Sequence, residues 1–235
     1  MKFYVLKGIL FTSYKMAWYE VSNNAQYSNE FPACPDCGGA IGMLKWLPPF
    51  NVTIKQPKYL GDLVYGAGGP DLLVSEKFKQ AYDKEGISGI KEIFPVEVKK
   101  MGTKPIEKCT SVPSLFGVYL KHSKTRVLFE EMGIVWDSEP STNYCRTCGP
   151  GGGGEKNGYI ESWKKVVIDE SSWDGEDLFF PINFHGQMVL SEKGADFFRR
   201  NQFRNAFVIE CDDAGYDFSK GCMEQHKKWF GDFIK

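Results

Sequence analysis

Cys34-Pro35-Asp36-Cys37-Gly38-Gly39 returns 111 positions later as Cys145-Arg146-Thr147-Cys148-Gly149-Pro150. A Cys-x-x-Cys turn sets two sulfurs on one side of a metal ion, and two such turns facing each other complete a tetrahedron of thiolates. The glycine after each second cysteine, Gly38 or Gly149, permits the left-handed backbone that turns amide groups toward sulfur. With Cys34, Cys37, Cys145 and Cys148 as ligands, no position stays open for water, so the expected zinc is structural rather than catalytic. The 107 residues between the turns are no obstacle, because loop-closure cost grows only logarithmically with length. A structural zinc contributes on the order of 10 kcal/mol in small peptides. Closing a loop of this length costs roughly 5 kcal/mol.

Two rival readings stand beside zinc. A thioredoxin-like redox pair needs a helix running on from the second cysteine to lower the thiol pKa. Gly38-Gly39 and Gly149-Pro150-Gly151 break a helix instead. Local disulfides are the second rival, but seven cysteines are an odd number and the chain is long enough to fold without staples. Cys109, Cys211 and Cys222 have no partner at ligand spacing and read as small buried apolar residues. His122, His185 and His226 lie away from the knuckles in sequence and read as surface or hydrogen-bonded residues.

A second repetition surrounds the first. Leu73-Val74-Ser75-Glu76-Lys77 is echoed by Val189-Leu190-Ser191-Glu192-Lys193, and Gly61-Asp62-Leu63 by Glu176-Asp177-Leu178. Ser75 reads as a helix N-cap with Glu76 complementing the dipole. The helix should run to about Glu85, with Gly86 as its C′ residue, and lead into a strand carrying Ile90, Ile93, Val96 and Val98. The second helix carries Phe197 and Phe198 and leads into a strand at 206–209, while Phe3 and Val5 open a first strand. Three features recurring in one order at nearly one offset predict an α+β fold: two related α/β halves joined by a four-cysteine zinc-knuckle site. The expected division is 1–150, an N-terminal half with both knuckles, and 151–235, a C-terminal α/β half. The alternative is one continuous compact unit.

Composition narrows the function. The 235 residues are 42% hydrophobic, 25% charged and 15% aromatic, with a formal net charge of -1. Disorder and a dedicated nucleic-acid binder are both disfavoured. No run approaches the roughly 18 apolar residues of a membrane span. The first 19 residues are interrupted by Lys7, Ser13 and Lys15 and show no small-residue cleavage site, so a cytoplasmic protein is expected. The glycine run 149–154 reads as a linker, without the Lys and Ser/Thr of a phosphate loop, and Gly66-Ala67-Gly68-Gly69-Pro70 reads as a turn. No nucleophile elbow, His-Glu-x-x-His or Walker motif is present, and Ser88-x-x-Lys91 and Ser162-x-x-Lys165 lack companions. A non-enzymatic protein is expected.

Charge is uneven. Residues 169–177 hold five acids, no base and one Trp. They read either as a solvated loop or as a docking surface for a basic partner, with Trp173, Asp174, Glu176 and Asp177 as contacts.

The opening Met1-Lys2-Phe3-Tyr4, the two knuckles, Asp177-Leu178-Phe179 and Met188-Val189-Leu190-Ser191 together resemble the bacterial double-CXXCG proteins, over roughly residues 1–217. Proteins of this kind resemble immunity proteins of contact-dependent toxin–immunity systems. The resemblance implies a cytoplasmic, non-enzymatic protein that binds and neutralises one cognate toxin. It carries over four positions only: Cys34, Cys37, Cys145 and Cys148. The glycine run and the tail 218–235 depart from the pattern. The runner-up is a zinc-ribbon module that binds nucleic acid; it predicts a basic face near the knuckles, yet Arg146 is the only Lys or Arg inside either. An enzyme would instead require a pocket of convergent titratable groups.

Overall fold

The computed structural model describes residues 1–8, 16–137, 145–149 and 160–216. The glycines 151–154, Cys222, His226 and the tail 218–235 lie outside them. Seven strands precede the first helix: β1 (Phe3–Lys7), β2 (Trp18–Val21), β3 (Gln26–Tyr27), β4 (Trp46–Leu47), β5 (Asn51–Lys55), β6 (Leu63–Ala67) and β7 (Leu72–Ser75). Helix α1 (Glu76–Glu85) is followed by β8 (Ile90–Met101), β9 (Lys104–Pro105), β10 (Leu115–His122), β11 (Val135–Trp136), β12 (Ile160–Ser162), β13 (Leu178–Phe180) and β14 (Met188–Ser191). Helix α2 (Glu192–Asn201) and β15 (Phe207–Glu210) come last among the described residues.

The expected α+β architecture of two α/β halves is not what forms. Of the described residues 37% are strand and 18% helix, two α-helices among them, and six strands close into a barrel. Around it the order is β10-β7-β6-β2-β5-β8, and β8 returns to β10. Closure depends on β10, which pairs antiparallel with β7 along one edge and with β8 along the other. The long β8 serves two neighbours in turn. Residues 90–96 pair with β10, and 97–101 pair in parallel with β5. Pro95, which has no N–H to donate, sits just before the exchange.

Side chains fill the barrel interior. Val52 and Ile54 point inward from β5 while Asn51, Thr53 and Lys55 are partly exposed, the period-two pattern of a half-buried strand. They meet Tyr19, Trp46, Val64, Leu73, Phe94 and Leu115 in one cluster. Gly117 on β10 makes room for this filling, since a Cβ there would lie 2.5 Å from the Phe94 ring. From β10 the sheet continues outward through β13, β14 and β1 to β15.

What does recur is a unit smaller than half the chain. Hairpin β6–β7 feeds α1 and then β8; hairpin β13–β14 feeds α2 and then β15. Strand β1 lies antiparallel between β14 and β15, as β10 lies between β7 and β8. The helix caps match. Ser75 Oγ accepts from Phe78 N–H, and Ser191 Oγ accepts from Gly194 N–H. Gly86 and Gln202 end the helices in the left-handed conformation. Both helices cover one core, where Phe78 meets Phe197, Phe198 and Phe203 with ring centroids 5.0–5.9 Å apart. A second core on the other side of β1 and β14 gathers Phe3, Val5, Phe179, Phe184 and Val189.

The two units are pinned to each other by exchange. Asp62 accepts from Ser75 Oγ of its own unit at 2.6 Å and from Arg204 N–H, beyond the far helix, at 2.9 Å. Asp177 accepts from Ser191 Oγ at 2.7 Å and from Ser88 N–H, beyond α1, at 3.1 Å. Lys77 donates to Asn201 O at the end of α2, and Lys193 donates to Gly86 O at the end of α1. Each cation meets the carbonyl end of the opposite helix, where the dipole favours it.

Candidate metal centre

Each knuckle is a backbone turn closed on itself. Cys34 N–H donates to Gly39 O at 2.8 Å, and Gly38 N–H to Cys34 O at 2.9 Å. Gly149 N–H donates to Cys145 O at 2.9 Å in the matching position. Gly38 and Gly149 have φ of 72° and 75°, the left-handed conformation that a side chain would strain. The turns meet face to face. Cys34 Sγ lies 3.8 Å from Cys145 Sγ, and Cys37 Sγ lies 3.6 Å from Cys148 Sγ. All four sulfurs lie within 4.8 Å of one another. Asp36, inside the first turn, accepts a hydrogen bond from Thr147 Oγ1 of the second, 111 positions away.

These distances fit a metal. Four thiolates about 2.3 Å from one zinc stand about 3.8 Å apart along the edges of a tetrahedron. The electrostatics point the same way. Cys145 is pulled to about 7, first by the backbone N–H of Cys148 and also by that of Thr147. Cys148 is pushed far up, first by burial and then by its sulfur neighbours. Four thiols this close cannot all ionise against one another; a dication at their centre reverses the balance and deprotonates them. Among the described residues these four are the one group of His, Cys, Asp or Glu with metal-holding geometry. Cys34 and Cys148 are buried against Ile41 and Ile182, Cys145 is partly covered, and Cys37 is exposed. The cluster therefore sits at a surface with an apolar floor.

Among the described residues, the other cysteines and histidines stay out of this ring. Cys109 donates to Pro105 O, and Cys211 is pushed up to about 12 by burial and then by Asp212. Burial lowers both His122, to about 4, and His185, so both rings are neutral near pH 7.

The four acidic-segment residues singled out as partner contacts have partners inside the molecule. Trp173 is partly buried, its ring edge-on to Phe3 at 5.7 Å and its indole N–H donating to Glu176 O. Asp174 accepts from Ser123 Oγ and from Lys124 N–H. Glu176 pairs with Lys121 at 2.6 Å. Asp177 is 5% exposed and holds the exchange between the two repeated units. Asp71 follows the turn Gly68-Gly69-Pro70; its Oδ2 accepts from Leu120 N–H at 2.6 Å, and burial raises it to about 6. No local signal marks it, because its covering comes from β10, 49 positions away.

No family model matches the chain, and no curated protein matches it. The double-CXXCG resemblance rests on the residues quoted for it. No described helix is long and apolar enough to cross a membrane.

Proposed function

We propose that the chain is a non-enzymatic binding protein whose four cysteines hold one structural zinc, and that it serves as the immunity partner of a bacterial toxin. The observation that carries the zinc reading is the ring of four cysteine sulfurs within 4.8 Å, drawn from two turns 111 positions apart. Zinc bound there has four protein ligands and no site for a reacting water, so it supplies fixation and not chemistry. Cys34 and Cys37 anchor one turn, Cys145 and Cys148 the other, and the Thr147–Asp36 hydrogen bond sets their relative rotation.

The toxin reading rests on the double-CXXCG resemblance. Neutralisation then works by occlusion: a preformed surface covers the toxin's active site, with no bond made or broken in either protein. The test is co-purification with the product of the neighbouring gene, followed by titration of the toxin's activity. Stoichiometric capture and loss of toxin activity support the reading. A zinc-loaded chain that neither captures nor inhibits that product overturns it. Trp173→Ala combined with Asp174→Ala and Glu176→Ala, leaving Asp177 in place, tests whether the acidic segment takes part.

A further inference from the structure

At the barrel mouth, where the β6–β7 turn meets β10, lies a cavity of about 160 Å³. Barrel mouths are a common place for ligand sites, and an interior cavity of similar size accepts a benzene-sized group. Its rim is apolar and unusually open: Phe31 is 44% exposed and Met43 71%. Its wall carries Asp71 and Tyr119. One oxygen of Asp71 accepts from Leu120 N–H, and among the described residues no Lys or Arg forms an ion pair with it. Of the other charged lining groups, Lys45 and Glu92 pair with each other at 2.7 Å, leaving Glu30 and Lys91 exposed at the edge.

The wall is held firmly. Tyr19 OH donates to Pro70 O at 2.5 Å and Tyr27 OH donates to Gly68 O, so two phenols clamp the turn that presents Asp71. A partly buried carboxylate without a cation is costly. Set rigidly beside aromatic rings and an open apolar rim, it is preorganised for a cation on an apolar stem.

We propose that this mouth is a docking pocket for an arginine or lysine side chain of the protein partner, with Asp71 receiving the cationic head and Phe31 and Met43 flanking the stem. This rests on the reading of the chain as a partner-binding protein. A protein occupant is favoured over a free amine by the exposed apolar rim, which suits a surrounding contact better than a small solute.

The experiment uses the zinc-loaded full chain and the capped peptide acetyl-Leu-Arg-Leu-amide, observed through the Leu120 amide resonance. A saturable shift is expected, weakened about tenfold or more in Asp71→Asn, where the amide oxygen still accepts from Leu120 N–H. The citrulline peptide, matched in shape but uncharged, should leave the resonance unmoved. Met43→Lys on the exposed rim should weaken the arginine peptide by repulsion without disturbing the fold. Absence of a saturable shift, equal binding of the citrulline peptide, or tighter binding of spermidine than of the arginine peptide overturns the proposal. Toxin capture undiminished by Asp71→Asn also overturns it while leaving the immunity reading standing. Failure of the wild-type chain to capture any toxin defeats that reading, whereas the peptide result is read on its own.

Discussion

Asp177 holds Ser191 Oγ at 2.7 Å through one carboxylate oxygen and, through the other, the Ser88 N–H that lies beyond the opposite helix. One side chain thereby secures a helix cap and the seam between two units. Replacing it with Ala removes these bonds and the 3.0 Å contact with Lys193. The expected cost is about 3 kcal/mol in urea unfolding, since bonds to a charged acceptor contribute roughly 1.5–3 kcal/mol each and do not add fully. Asp62→Ala should cost less, because Asp62 is more exposed and its lysine stands at 3.9 Å.

Two aspartates should give opposite pH responses. Burial pushes Asp177 up, but hydrogen bonds from Ser191, Ser88 and Lys193 overcome it and hold the group below the usual range. Its stabilising effect is present above about 3.9, the unfolded value, and is lost as pH falls through the lower folded value. Asp71 is raised to about 6 by burial. The folded state therefore binds its proton more tightly than the unfolded chain does, and stability drains away as pH rises from about 4 through 6. Urea midpoints should show Asp71→Asn more stable than wild type at pH 7.5, with the gap narrowing at pH 4.5. Asp177→Asn should be the less stable partner at both.

The metal has its own arithmetic. Elemental analysis should find about one zinc per chain, the number one closed four-ligand site implies. Cys34→Ser or Cys148→Ser should abolish retention and lower stability by several kcal/mol, because ligand loss is loss of folding energy. Wild-type unfolding that is indifferent to a strong chelator after refolding would contradict this.

Two glycines in the turn after α1 should behave differently. At Gly86 a new Cβ meets nothing within 4 Å, so Gly86→Ala costs only the left-handed backbone, about 1–2 kcal/mol. At Gly89, with φ of 109°, the Cβ would fall 1.8 Å from Leu178 O. Gly89→Ala must push β13 aside and should be the more damaging of the two in thermal unfolding.

Local chemistry was readable where it is local. Ser75, Gly86 and Ser191 mark caps whose geometry depends on neighbours within four residues, and both helices form where they point. The four cysteines were readable because ligand spacing is itself a short-range pattern. The barrel was not, because closure hangs on β10 finding β7 and β8 on opposite edges, and on parallel pairings of β2 with β6 and β5 with β8 that leave no turn signal. Asp177 shows the same limit. Its acidic neighbours suggest a solvated loop, while its burial comes with partners outside the segment: Ser191, Lys193 and Ser88, the last 89 positions upstream.

The place of β1 bears on how the chain is made. Phe3 to Lys7 finds its neighbours only at Met188–Ser191 and Phe207–Glu210. At roughly 5–20 residues per second, β1 waits on the order of ten seconds or more for them after it leaves the ribosome. During that interval an apolar ribbon is exposed on both edges, so the nascent chain, more than the finished molecule, is where a chaperone's attention is required.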